Sequence, residues 1–115
     1  MAVLEQWVRC NLGELVKIRY LDGTLFNMDN QGTLIGVEVY NKDGTQATLQ
    51  GTVSAKVLLP NGESVSINNG TLNRNKCSVI LPESCYAVPG SITVMIKLTS
   101  NNTVTTLAAV VASVF

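Results

Sequence analysis

Residues 52–115 read TVSAKVLLPNGESVSINNGTLNRNKCSVILPESCYAVPGSITVMIKLTSNNTVTTLAAVVASVF. Apolar residues recur in this run with a period of two, in short segments that turn residues separate from one another. The segments are residues 52–60, 63–67, 76–81, 91–99 and 103–115. Short alternating segments divided by turns are typical of an antiparallel β-sandwich. The sequence therefore predicts an all-β fold in which two sheets pack face to face.

The N-terminal third of the chain adds further strands to this prediction. Residues 33–40 alternate cleanly, and residues 14–20 alternate less regularly. Residues 1–12 fit either a helix or a strand, and we interpret them as an N-terminal arm or an edge strand. One short helical turn is expected after Pro82, because proline suits the first position of a helix. The prediction is a single domain, residues 1–115, with about seven to eight strands.

Charge and hydropathy exclude two classes of partner. Eight basic and eight acidic residues cancel, and only 14% of the chain is charged. A nucleic-acid-binding surface needs a concentrated positive field, so we expect no nucleic-acid partner. The apolar runs are shorter than the ~20 residues that a membrane helix requires, so we expect no membrane partner. The first residues lack a basic segment followed by a long apolar one, so we expect no signal peptide.

Residues suited to catalysis or cofactor binding are scarce. The chain has no histidine, which removes the commonest acid–base group near neutral pH and the commonest metal ligand. Cys10, Cys77 and Cys85 lack CxxC spacing and are interpreted as reduced thiols, although a Cys77–Cys85 bridge is an open alternative. We therefore expect no enzymatic activity, no catalytic residues and no cofactor.

Loop aspartates offer one alternative to a metal-free domain. Asp22, Asp29 and Asp43 lie in predicted loops and could converge on Ca²⁺, which prefers oxygen ligands. The EF-hand spacing is absent, and aspartate is also a common turn residue. We therefore expect no metal site and keep the Ca²⁺ site as the alternative.

Three turn motifs mark the second half of the chain. One strand ends in LPNG at residues 59–62, another closes on VILP at residues 79–82, and AVPGS at residues 87–91 leads into the penultimate strand. These motifs resemble those in the N-terminal domain of phage baseplate upper proteins. The match spans roughly residues 34–107. The resemblance implies an immunoglobulin-like sandwich and a structural protein of the virion, assembled in the host bacterial cytoplasm. It also implies binding to other virion proteins, in a baseplate or fibre-anchoring position, with capsid decoration or a head fibre as the alternative.

The two ends of the chain are the predicted interface. Residues 107–115 are apolar on both faces of a strand, so one face can enter the core and the other requires a cover. That cover is either a partner, including a second copy of the chain, or the loops of the same domain. The predicted interface residues are Leu4, Trp7, Val8, Val110, Val111, Val114 and Phe115.

A carbohydrate-binding sandwich of the adhesin type is the alternative from a different functional class. Such sites present exposed aromatic rings on which a sugar stacks. The chain has few aromatic residues, so Trp7, Tyr20 and Tyr40 would have to cluster. The positions of these three rings therefore test this alternative.

Overall fold

The computed structural model describes residues 4–13, 18–26, 33–86 and 89–114. Nine strands and one 3₁₀ turn, Glu83–Tyr86, lie within these residues. The strands are β1 Leu4–Asn11, β2 Ile18–Phe26, β3 Thr33–Tyr40, β4 Thr52–Leu58, β5 Ser64–Ile67, β6 Thr71–Asn73, β7 Lys76–Leu81, β8 Gly90–Ser100 and β9 Thr103–Val114. The predicted all-β fold and the single helical turn after Pro82 are confirmed.

The strands form two sheets that pack face to face. Sheet A has the strand order β1-β3-β7-β6, and sheet B has the order β2-β9-β8-β4-β5. From β3 onward, neighbouring strands are antiparallel, and short turns join three of the pairs, β4–β5, β6–β7 and β8–β9. The two N-terminal strands differ, because β1 pairs parallel to β3 and β2 pairs parallel to β9. Each N-terminal strand thus forms an edge of a different sheet.

Strand β6 was missed by the sequence analysis, which placed only turn residues between β5 and β7. It has three residues and pairs with β7 alone. Its alternation is too short to stand out from the polar residues around it. The short β6 could therefore not be recognised among polar residues, although it forms the edge of sheet A opposite β1.

The core is built from the alternate side chains of both sheets that point between them. A buried Val or Ile contributes about 1.5–3 kcal/mol relative to its exposed state. The largest side chains without solvent exposure are Ile35, Val37, Val39, Val53, Val57, Val79, Leu81, Ile92, Val94, Ile96 and Val110. These residues come from β3, β4, β7, β8 and β9, which are the strands with the clearest alternation in the sequence.

The apolar C-terminal strand lies inside sheet B. Strand β9 has β2 on one side and β8 on the other, so both of its backbone edges are paired. A bulge opposite Ile96 and Lys97 inserts Leu107 as an extra residue, and both Leu107 and Ala108 are buried. Much of the apolar character of residues 107–115 is therefore explained by the domain's own core and by this bulge.

All three cysteines are buried, and none of them is joined in a disulfide. Burial raises the pKa of Cys77 to about 11, and the nearby Cys10 adds to the rise. Burial also raises the pKa of Cys85 to about 11. These thiols pack as small apolar side chains and are poor nucleophiles, because the thiolate is the reactive form.

The raised thiol pKa values predict a loss of stability at alkaline pH. An unfolded thiol titrates near 9.0 and the folded thiols near 11, so the folded state retains more protons between these values. Stability is fully present below pH 9 and falls toward pH 11, by on the order of 2–3 kcal/mol per thiol. Urea denaturation at several pH values measures this decline. The variant with Cys77→Ala and Cys85→Ala should lose most of the alkaline decline, and an equal decline in that variant would contradict the assignment.

Candidate assembly surfaces

The outer face of sheet A carries a tryptophan that packs on a glycine. Trp7 of β1 lies beside Gly36 of β3, and both point away from the core. The six-membered ring of the indole covers Gly36 so closely that a Cβ atom there would lie 2.3 Å from the Trp7 Cε3 and Cζ3 atoms. The ammonium of Lys76 is 5.6 Å from the centre of the Trp7 ring. Trp7 is thus half-buried and held within its own sheet.

A second aromatic ring on this face is also engaged. The Arg9 guanidinium lies over the Tyr40 ring, 3.8 Å from its centre. The Tyr40 hydroxyl donates a hydrogen bond to the Glu38 Oε2 atom at 3.1 Å. Cation–π contacts of this kind contribute about 0.5–1 kcal/mol at exposed sites. The aromatic and charged side chains at this end of sheet A therefore interact with one another within the domain.

The outer face of sheet B is different, because several of its exposed side chains are large and apolar. Tyr20 is 73% exposed and Ile18 is 50% exposed, and both belong to the edge strand β2. Of the six large apolar side chains that are exposed in the described part of the chain, four lie on this face. The four are Ile18, Tyr20, Leu58 and Val104. Exposed apolar side chains that gather on one face indicate an interaction surface.

Strand register makes part of this face a continuous surface, which we call the sheet B patch. Ile18 lies beside Ala109, which lies beside Met95. In the next row, Tyr20 lies beside Val111, which is followed by Thr93 and then Leu58. The sheet B patch is defined as Ile18, Tyr20, Leu58, Thr93, Met95, Ala109 and Val111. Its described neighbours on the outer face include Lys56 and Lys97 but no carboxylate.

The sheet B patch exists because two apolar side chains of β2 point outward and the charged side chain between them points inward. In β2, Ile18 and Tyr20 point outward while Arg19 points toward sheet A. The Arg19 Nε atom donates a hydrogen bond to the Arg9 carbonyl oxygen at 3.0 Å, and its Nη1 atom donates to the Ile18 carbonyl oxygen at 3.0 Å. Arg19 therefore bridges the edges of the two sheets. Ile18 and Tyr20 were not among the predicted interface residues. Their alternation with Arg19 was the sequence feature that could have indicated an apolar face on this strand.

The predicted interface residues do not form one surface. Trp7 lies on the outer face of sheet A, whereas Val111 lies on the outer face of sheet B. Val8 is partly buried against the core, and Val110 has no solvent exposure, so the Val110 side chain is not available to a partner of the folded domain. The side chains of Leu4 and Val114 and the whole of Phe115 lie outside the described residues.

The three rings that a carbohydrate site would need do not cluster. Trp7 and Tyr40 share the outer face of sheet A, and Tyr20 lies on the opposite side of the sandwich. The face of Trp7 is against Gly36, and the face of Tyr40 is against Arg9. A sugar therefore finds no shared stacking platform on these three residues.

The loop aspartates provide no Ca²⁺ site within the described residues. Asp43 accepts hydrogen bonds from the Thr45 backbone N–H at 3.0 Å and from the Thr45 hydroxyl. The Thr45 hydroxyl bond, followed by the backbone bond, lowers the pKa of Asp43 below its ordinary value of 3.8. Asp29 and the Asp22 side chain lie outside the described residues. Among the side chains that the structure describes, no three Asp, Glu, Cys or His residues gather as metal ligands would.

Comparison with known proteins identifies the fold. No protein-family model matches the chain, and no curated protein matches its sequence. A solved structure described as the N-terminal domain of phage TP901-1 ORF48 superposes with a TM-score of 0.52. The superposition covers 96% of this chain and 94% of that chain, at 7% sequence identity. The chain has the fold of a phage protein domain.

This phage fold agrees with the type of protein that the turn motifs resemble. At 7% identity the likeness concerns the fold, and side chains on the two surfaces need not correspond. None of the helices in the described residues is long and apolar enough to cross a membrane. The binding surfaces of this chain therefore depend on its own side chains and not on those of the solved structure.

Proposed function

We propose that the chain is a non-enzymatic structural component of a bacteriophage virion that acts by protein–protein assembly. The observation that carries the proposal is the sandwich fold shared with a phage domain over nearly its whole length. The turn motifs at residues 59–62, 79–82 and 87–91 support the same origin. The chain would then reside in the particle and be assembled in the host bacterial cytoplasm.

The sheet B patch is the surface that we assign to assembly. Tyr20 combines a large apolar area with a polar hydroxyl, which is why tyrosine is enriched among residues that dominate binding energy. Val111 lies beside it on β9, Ile18 and Met95 extend the apolar surface, and Lys56 and Lys97 border the patch. This arrangement has the apolar centre and polar rim that are common in protein interfaces. We propose other virion proteins and a second copy of the chain as the partners.

The surface outside the sheet B patch does not favour nucleic acid or a membrane as a partner. The formal net charge is zero, and basic residues on the described faces are interspersed with acidic ones except around the sheet B patch. Two lysines supply little of the field that a nucleic-acid surface needs. We therefore propose proteins as partners, without nucleic acid or membrane.

Solution mass tests the proposal. Light scattering of the purified chain across a range of concentrations should show a mass that rises to a discrete oligomer. The apolar area of the sheet B patch drives this association at ~25 cal/mol per Å² removed from water. A strict monomer at the highest concentration would contradict self-association.

Position in the particle is tested separately by antibody labelling. We propose a baseplate or fibre-anchoring position, because the turn motifs resemble the baseplate upper proteins. Labels at the end of the tail would support it. Labels on the head would instead favour capsid decoration or a head fibre.

A further inference from the structure

Part of the β7 backbone edge has no described strand beside it. We call the space next to this edge the open position. Strand β7 pairs with β3 along all six of its residues, but it pairs with β6 only from Lys76 to Ser78. Strand β6 begins at Thr71, opposite Ser78, and a continued register would place Asn69 opposite Ile80. The chain instead turns away at Gly70, whose N–H donates a hydrogen bond to the Val53 carbonyl oxygen of sheet B at 3.0 Å.

A glycine makes this departure from β7 feasible. A Cβ atom at Gly70 would lie 2.5 Å from Val53 Cγ1 and 2.9 Å from the Ser78 carbonyl oxygen. Only a residue without a side chain allows the backbone to pass between the two sheets here. The chain therefore crosses to sheet B before it can cover the rest of β7.

The backbone of Ile80 faces the open position. The Val39 N–H bonds to the Asn75 carbonyl oxygen at 2.8 Å, which fixes the phase of the β3–β7 ladder. In an antiparallel ladder, hydrogen-bonded and non-hydrogen-bonded pairs alternate. Val79 and Leu81 therefore bond to β3, and Ser78 and Ile80 direct their N–H and C=O groups to the other side. Ser78 meets Thr71 there, whereas no described strand lies opposite Ile80.

A groove lies at this place. Its volume is about 490 Å³, within the ~300–1,000 Å³ typical of ligand sites. None of the lining residues is charged and none is aromatic. They are Leu34, Ser66, Ile67, Asn68, Asn69, Thr71, Ser78, Val79, Ile80 and Pro82. The Ile80 side chain is 57% exposed.

We propose that this groove binds an extended, uncharged segment of another polypeptide, which adds as a short strand beside β7 in line with β6. The N–H and C=O groups of Ile80 pair with its main chain, and the Asn68 and Asn69 amides can bond to its other edge. An uncharged segment matches a groove without charges. A peptide fits better than a sugar, because the lining offers an unpaired strand edge and no ring for stacking. The site goes beyond the proposed assembly through the sheet B patch and does not depend on it.

Amide hydrogen exchange of the full chain, followed by NMR, tests the site. In the free protein the Ile80 amide should exchange faster than those of Val79 and Leu81. The probe is a capped heptapeptide in which valine alternates with serine or threonine. At saturating peptide, exchange at Ile80 should slow by about tenfold or more. Equal protection of Ile80 without peptide, or an unchanged rate at millimolar peptide, would overturn the proposal.

Two controls separate strand addition from other binding. The same peptide with N-methyl groups along one backbone edge should not protect Ile80, and equal binding of it would overturn the proposal. Ile80→Ala keeps the backbone N–H and should retain binding, whereas Ile80→Pro removes that N–H and should abolish it. If Ile80→Pro does not fold, the N-methyl peptide decides. Shifts of groove residues with cellotetraose but not with the heptapeptide would assign the groove to a sugar instead.

Discussion

Replacing Gly36 with valine is expected to lower the free energy of unfolding by about 2–3 kcal/mol. A β-branched residue usually stabilises a strand relative to glycine, so strand propensity alone predicts the opposite sign. Here the Trp7 ring already occupies the place of the new side chain, 2.3 Å from a Cβ atom at position 36. The steric conflict exceeds the gain in propensity, because the indole must leave its position on β3.

A double-mutant cycle identifies the cause of this loss. In the Trp7→Ala background the space above Gly36 is empty, so Gly36→Val should be neutral or stabilising there. Urea denaturation of the four proteins measures the coupling between the two sites. Additive effects of the two substitutions would show that Trp7 does not rest on Gly36.

Replacing Tyr20 with aspartate is expected to weaken self-association strongly while the fold persists. Tyr20 is 73% exposed in the isolated domain, so the substitution removes little core packing. In the assembly it places a charge within the sheet B patch and removes a large ring. We expect a loss of about 2 kcal/mol or more, which is roughly a thirtyfold weaker dissociation constant. Sedimentation equilibrium at matched concentrations measures this change.

Asn73→Asp is the matched control, because it adds the same charge at an exposed position on β6 of sheet A. It should leave association unchanged. Equal weakening by both variants would indicate a general effect of charge. Weakening by Asn73→Asp alone would place the interface on sheet A.

The strands after β2, with the exception of β6, could be predicted because their signals are local. In β4 and β8 apolar residues alternate without interruption, and LPNG at residues 59–62 marks a turn in four letters. Each of these signals depends on residues that are neighbours in the chain. These strands and the antiparallel connections between them could therefore be identified from the sequence.

The N-terminal strands depend on distant partners, and their environment could not be predicted. Trp7 and Gly36 are separated by most of the N-terminal third of the chain, and nothing near Trp7 specifies a parallel partner. Arg19 would ordinarily point to solvent and Ile18 toward the core. The structure reverses them, and the Arg19 guanidinium donates to a carbonyl oxygen of β1, which lies far from it in the sequence. A contact between such distant residues is not visible in the local hydrophobic pattern.

Hydroxyl-radical footprinting of the chain, dilute and assembled, tests the central proposal most directly. Tyrosine, methionine and tryptophan react readily with this radical, so Tyr20 and Met95 report on sheet B and Trp7 reports on sheet A. The proposal predicts that oxidation of Tyr20 and Met95 falls on assembly while oxidation of Trp7 is unchanged. Protection of Trp7 with undiminished oxidation of Tyr20 and Met95 would contradict it.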